Sequence, residues 1–292
     1  MKRLIQVIDN FLLLYSFTGL KTLILRKYLI LSLLLNISGL FAQQVNRIIS
    51  LAPSLTKNLY FLEVEDKLVG CTSYCLEAKK DNKEIIASAI KVNLEKLVAL
   101  NPDLVIATTI TSIETLETLN KFGIRTEVFP TPKSFEEICL QFQELGNMVG
   151  KNELASQIIE ESKSQVKTLS NSVKKDSSFT VFFQIGAKPL FTVIPETFMD
   201  DYILYSGGIN IAADLTRGSI TRESVISRNP DVIFIVTMGV VGDQEKEIWK
   251  SYSNLSAAAH NRIYIIDADL SCSPTPITFV QTLEIMVDLL NE

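Results

Sequence analysis

The stretch Asn93-Leu-Glu-Lys-Leu-Val-Ala-Leu-Asn-Pro-Asp-Leu-Val-Ile-Ala decides how this chain is read, because it occurs again, altered, as Thr221-Arg-Glu-Ser-Val-Ile-Ser-Arg-Asn-Pro-Asp-Val-Ile-Phe-Ile. In each copy a residue suited to capping (Asn93, Thr221) precedes a short helical run, and a glutamate follows two positions later (Glu95, Glu223). Asn-Pro-Asp then closes the run. Proline disfavours helical dihedrals in the residue before it, so Asn101 and Asn229 are the expected stops. The apolar segments 104–107 and 232–236 come next, short and rich in β-branched residues, and read as strands buried on both faces. The chain therefore reads as two related halves built on helix, turn and parallel strand, with a glutamate at the same offset in each.

Working outward, Arg47-Ile-Ile-Ser-Leu predicts a first strand, and Ala52-Pro53-Ser54 turns it into a helix to about residue 63 with Ser54 as the cap. Residues 68–72 predict the next strand, which delivers Tyr74 at its C-terminal end, and a polar loop is expected from there to residue 90. Beyond the first copy come a helix over 113–121 ended by Gly123, a strand over 125–129, and an amphipathic helix capped by Ser134 and running to about 149. Residues 151–175 contain neither glycine nor proline and predict one helix more than ~30 Å long. Such a helix could bridge two lobes or lie along the edge of one domain. The second half repeats the plan, with strands over 180–185 and 191–194, a helix ending at Ser206-Gly-Gly, the second copy, a helix near 245–252, a strand over 262–266 and a terminal helix from Ile277. Strands alternating with helices predict α/β architecture with parallel sheets.

The 292 residues are 47% hydrophobic and 21% charged, ordinary for a globular α/β protein with a sizeable core. A net charge of −5 without a basic cluster argues against nucleic-acid binding, which needs cations gathered on one face. Residues 1–42 hold Lys2, Arg3, Lys21, Arg26 and Lys27 against Asp9 alone, so a product lacking them carries 23 basic and 32 acidic side chains, a net of −9. That region has the order of an export signal: Arg26-Lys27, an apolar heart Leu29-Ile-Leu-Ser-Leu-Leu-Leu, and a cleavage point at Ala42 before Gln43-Gln44. An uncleaved anchor is the alternative, although the apolar run is shorter than the ~20 residues that span a bilayer. No cysteine stands directly after the apolar heart, so an acylated anchor is not expected and a periplasmic location is. Residues 1–24 are expected to precede the true start.

Four cysteines lie beyond the expected cut, Cys71, Cys75, Cys139 and Cys272. Cys71 and Cys75 could pair in an oxidising compartment, or all four could stay as buried thiols. His260 is the one histidine, without cysteine or carboxylate at ligand spacing, so no metal site is expected. Nor does any nucleophile with a base, glycine-rich phosphate loop or paired carboxylate motif stand out, so no catalytic residues are expected.

With these elements in place the sequence resembles the substrate-binding proteins of ABC importers for cobalamin, haem and iron-siderophore complexes. The resemblance rests on Arg47-Ile-Ile-Ser-Leu-Ala-Pro-Ser, Val69-Gly-Cys-Thr-Ser-Tyr-Cys, both copies of the repeat, and Ser206-Gly-Gly-Ile-Asn, in that order. It implies two Rossmann-like lobes joined by a single long helix: a signal region 1–42, an N-terminal lobe 43–150, the inter-lobe helix 151–175 and a C-terminal lobe 176–292. It also implies a metal chelate as ligand, no resident cofactor, a permease as partner, and a monomer.

The same resemblance nominates residues. Ligand contacts are expected from Tyr74 on one side of the cleft and from Phe191 and Arg217 on the other, although aromatics at strand ends can also be core. Members that bind vitamin B12 carry tryptophans near Ala89 and Arg217, which this chain lacks, while Arg217 and Arg222 bring positive charge suited to an anionic chelate. Where the family has Thr-Glu after Ala-Pro-Ser, this chain has Thr56-Lys57, so the local charge is reversed. Glu95 and Glu223 correspond to glutamates that pair with arginines of the permease. Two other functions compete: a secreted two-lobed enzyme such as a transferase, and a free-metal-ion binder, against which the shortage of histidine counts.

Overall fold

In the computed structural model of the chain the described residues are 45–88, 91–173, 179–236 and 242–291. The expected signal region 1–42, with its cleavage point, and Ala89 lie outside them. Among the described residues no helix is long and apolar enough to cross a membrane.

The first lobe opens with β1 (Ile48–Ser50) and α1 (Pro53–Phe61). Pro53 sits in the first turn and Ala52 is the cap residue, so Ser54 is inside the helix and is not its cap. Proline is at home there, since its missing N–H would be unpaired in any case. After β2 (Leu68–Thr72) the segment expected to be a polar loop contains α2 (Leu76–Lys80) and β3 (Glu84–Ala87). Lys79, Lys80 and Glu84 are exposed, and this charged run hid the apolar positions that are buried, Ala78, Ile86 and Ala87. Then come α3 (Leu94–Ala99), β4 (Leu104–Thr108), α4 (Ile113–Lys121) and β5 (Thr126–Phe129). The sheet order is β3-β2-β1-β4-β5, with every pairing parallel.

Two helices lead away from this sheet. In α5 (Phe135–Val149) the Ser134 hydroxyl accepts the Glu137 N–H at 3.2 Å, and Gly150 ends the helix at φ 80°, where a side chain would be strained. Next, α6 (Asn152–Ser172) has 21 residues and so runs about 32 Å. It joins the two lobes.

The second lobe holds β6 (Phe179–Ala187), β7 (Leu190–Thr192), α7 (Phe198–Tyr205), β8 (Gly208–Asn210), α8 (Arg222–Arg228) and β9 (Val232–Val236). It continues through α9 (Gly242–Lys250), α10 (Ser256–Ala259), β10 (Ile263–Ile266), α11 (Ala268–Ser271) and α12 (Pro276–Asn291). Its sheet runs β10-β9-β6-β7, with β8 also on β6. The β6–β7 pair is antiparallel, so this sheet is mixed where a purely parallel one was expected. A short return after residue 187 has no room for the crossover that a parallel neighbour needs.

Both repeat helices stop before their prolines, as expected, but by a different route. Asn101 and Asn229 take left-handed dihedrals, φ 44° and 46°, which asparagine tolerates better than most residues. One hydrophobic cluster runs through both lobes, and α12 lies at their junction. Phe279 on α12 stacks 4.5 Å from the Phe135 ring of α5 and 4.4 Å from the Tyr202 ring of α7. Opening the lobes by a large angle would strip this aromatic stack, so the fold favours small relative motion.

Candidate functional site

Parallel strands end together, and the loops after them form a crevice where the strand order reverses. In the first lobe a 350 Å³ cavity sits at such ends, lined by Leu51 after β1, Thr72 of β2, Ala87 of β3, and Ile110 to Ser112 after β4. Thr72, Thr111, Thr115 and Thr118 line it with Lys91 and Glu114. Ile110 is 84% exposed at this cavity, an unusual setting for a large aliphatic side chain. None of these residues was singled out from the sequence. The available signal was the run of small hydroxyl residues following the first buried strand of the repeat.

A second cavity, 480 Å³, is shared by the two lobes. Thr131, Pro132 and Lys133 of the β5–α5 connection form one wall, and Ile185, Phe191, Val193, Ile194, Phe198 and Met199 the other. Lys133 Nζ lies 3.8 Å from Glu196 Oε2 across it, an exposed pair that contributes little energy. Phe191 is carried by the β6–β7 hairpin and is 39% exposed, so it is not core. Gly218 lies against it. A side chain at Gly218 would meet the Thr192 carbonyl at 2.8 Å and the Phe191 ring at 3.2 Å, so only glycine lets this loop close over the hairpin. Arg217, one residue earlier, is exposed and does not line the cavity.

Tyr74 follows β2 as expected, and its ring is 57% exposed. It lines neither cavity, so the structure does not bring it into one pocket with Phe191. Its N–H donates to the Thr72 hydroxyl at 3.3 Å. Beneath it Cys75 is buried, with its Sγ 3.0 Å from the Thr56 hydroxyl and 3.3 Å from that of Thr72. The hydrogen bond with Cys71 draws the Cys75 thiol below its usual range against the effect of burial, and raises Cys71. All four cysteines are free thiols.

Arg222 is not the open cation that the sequence suggested. Its Nη2 lies 2.5 Å from Glu245 Oε2, and its guanidinium sits 4.7 Å over the Trp249 ring. Gln184 completes the cluster, donating to Glu245 at 2.9 Å and accepting the Trp249 indole N–H at 2.7 Å. Arg222 thereby anchors α8 through Nη2 and its ring contact, while its buried Nη1 has no hydrogen-bond partner.

Glu95 and Glu223 each stand second in their helices, α3 and α8, and both are exposed. The caps behave alike: Asn93 accepts the Lys96 N–H at 3.0 Å, and Thr221 accepts the Ser224 N–H at 3.2 Å. Glu223's own backbone N–H, then the Thr221 hydroxyl, hold its carboxyl below the usual range. Such placement suits a carboxylate, because the first turn of a helix presents unpaired N–H groups.

His260 is exposed and bonded to the Ser256 carbonyl at 2.9 Å. Among the described residues no group of three or more His, Cys, Asp or Glu could hold a metal ion. The arrangement offers clefts, aromatic area and hydroxyls.

Known proteins share this architecture. A Bacillus subtilis protein described as an uncharacterized ABC transporter substrate-binding lipoprotein is 31% identical over 239 residues, covering 78% of this chain and 74% of its own length. The vitamin B12-binding protein of Vibrio campbellii is 29% identical over 241 residues, covering 80% of this chain and 85% of its own. Among solved structures, a possible iron-binding (periplasmic solute-binding) protein from Staphylococcus epidermidis superposes with a TM-score of 0.75 at 26% identity, over 86% of this chain and 100% of that one. The sequence profile described as periplasmic binding protein matches residues 48–270.

Proposed function

Because the chain belongs to the periplasmic binding protein family, we propose that it is an exported solute-binding protein that carries a metal chelate to an ABC importer. The chelate is a ferric siderophore, haem, or a cobalamin or other corrinoid. The observation that carries this is the 480 Å³ cavity shared by the two lobes, with Phe191 in its wall. Its volume falls within the ~300–1,000 Å³ of small-molecule sites, and a mainly apolar wall with few polar groups suits a large ligand bound by surface contact. The names of the relatives support the class, since one is a substrate-binding protein of an ABC transporter and another binds vitamin B12.

In this reading Phe191 and Tyr74 supply ring area, Tyr74 closing over the ligand from the first lobe, and Arg217 meets negative charge on the chelate. Glu95 and Glu223 crown the two lobes and pair with cations of the membrane permease. The protein acts as a monomer without a resident cofactor. Export relies on the basic-then-apolar order of residues 26–42, with cleavage before Gln43 to give a periplasmic product.

Equilibrium binding against cobalamin, cobinamide, haem and several ferric siderophores tests the proposal. Saturable binding of one class at one site is expected. If none binds, the chelate assignment is wrong.

A further inference from the structure

Lys57 is the charge reversal noted in the sequence, and the structure buries it. Its side chain is 6% exposed on α1 of the first lobe, although lysine is rarely buried unless paired. Its Nζ lies 2.7 Å from Asp269 Oδ2 and 2.7 Å from the Asp269 carbonyl, on α11 behind the last strand of the second lobe. The same Nζ lies 3.8 Å from Glu77 Oε1 on α2, three residues after Tyr74. Glu77 Oε2 is buried without a hydrogen-bond partner, so that carboxylate relies on Lys57 for compensation. The preceding residue, Thr56, holds Cys75 at 3.0 Å. Two successive residues of α1 therefore hold Cys75 and Glu77, the segment directly after Tyr74, and one of them also holds the opposite lobe.

We propose that Lys57 is a positioning residue for the ligand site: it couples the Tyr74 turn of the first lobe to α11 of the second, so that the two surfaces keep a fixed separation. This rests on the inter-lobe cleft as the place of binding. Lys57 is buried while the Glu77 and Asp269 side chains are 33% and 40% exposed, so moving either carboxylate away takes compensation from a cation that stays out of water, and the pair resists separation. Helix α11 is itself fixed to its own lobe, since the Ser271 carbonyl accepts the Tyr202 hydroxyl at 3.3 Å. The coupling is thus between lobe bodies rather than between two loose loops.

Amide hydrogen exchange, followed by mass spectrometry on the protein without ligand, tests the coupling. In Asp269→Ala the altered residue is in the second lobe, yet exchange in residues 72–80 should accelerate at least about tenfold together with residues 267–275. Lys57→Met should accelerate both segments, and Lys57→Arg should restore slow exchange in both. Strand β9 serves as the internal control and should be unchanged. Acceleration confined to 267–275, no acceleration in either segment, or equal acceleration in β9 would each overturn the proposal. Failure of the binding function shows separately, as wild-type protein that takes up neither cyanocobalamin nor haemin.

Discussion

The carboxylate of Asp231 accepts both the backbone N–H and the hydroxyl of Thr180 at 2.9 Å, while the Asp231 N–H donates back to the Thr180 carbonyl at 3.0 Å. The first lobe has the same clasp. There Asp103 accepts the N–H groups of Asn46 and Arg47 at 2.9 and 3.0 Å and donates to the Arg47 carbonyl at 2.8 Å. In both copies of Asn-Pro-Asp the final residue fastens the incoming strand, β4 or β9, to the start of its parallel neighbour, β1 or β6.

Losing that clasp should be costly and pH-dependent. Burial raises the Asp231 carboxyl, but bonds from Thr180 and Ser256 outweigh it and leave the group below its usual range. A carboxylate whose folded value is depressed contributes stability above its unfolded value of ~3.9 and loses that contribution as pH falls through the folded one. Asp231→Asn should therefore be less stable than wild type at pH 6 by about 1.5 to 3 kcal/mol, the range for hydrogen bonds to a charged group. Urea titrations at pH 6 and near pH 3 should show the difference shrinking at the lower pH; a constant deficit contradicts this account.

Arg222→Ala should cost about 3 to 5 kcal/mol, because it leaves Glu245 buried and uncompensated. Glu245 is 6% exposed at its side chain. The double variant Arg222→Met with Glu245→Gln should recover much of the loss. Emission from Trp249, the sole tryptophan, follows the unfolding directly. Equal stability of wild type and Arg222→Ala would show that the pair contributes nothing.

For ligand binding, Phe191→Ala and Tyr74→Ala should each weaken affinity by roughly 1 to 3 kcal/mol, as expected for a well-covered aromatic contact. Ile110→Asp should weaken it too if the first-lobe cavity is part of the same site. Isothermal titration with whichever chelate wild-type protein binds distinguishes these cases. Unchanged affinity in Tyr74→Ala alone would agree with its absence from both cavity walls and would assign the contact to Phe191.

Reversal of the paired glutamates should separate docking from binding. Charge pairs at an interface rim mainly steer encounter and fix register, so Glu95→Arg with Glu223→Arg should lower uptake by cells while leaving chelate affinity at its wild-type value. Normal uptake by the double variant would remove both residues from docking.

The sequence by itself determined the repeat, the alternation of strands and helices and several helix ends, because those signals are local, although Ser54 lies inside its helix and is not the cap. Asn93, Ser134 and Thr221 each bond an N–H three residues ahead, within reach of a single turn. Buried strands such as 232–236 announce themselves by composition. The misses have local causes as well: α2 and β3 are only five and four residues long and sit in a charged run, and the antiparallel return of β7 follows from the shortness of the turn after residue 187, which the alternation of strands and helices does not register.

Only the tertiary structure decided what the charged residues do. Arg222 and Glu245 are 23 positions apart, and Lys57 and Asp269 are 212. A lysine or arginine has the same pattern in sequence whether solvent, a ligand or a buried carboxylate awaits it. Which one it meets depends on how the elements pack together, and that packing paired Arg222 with Glu245, left Tyr74 exposed, and turned the reversed charge at Lys57 into a bond between lobes.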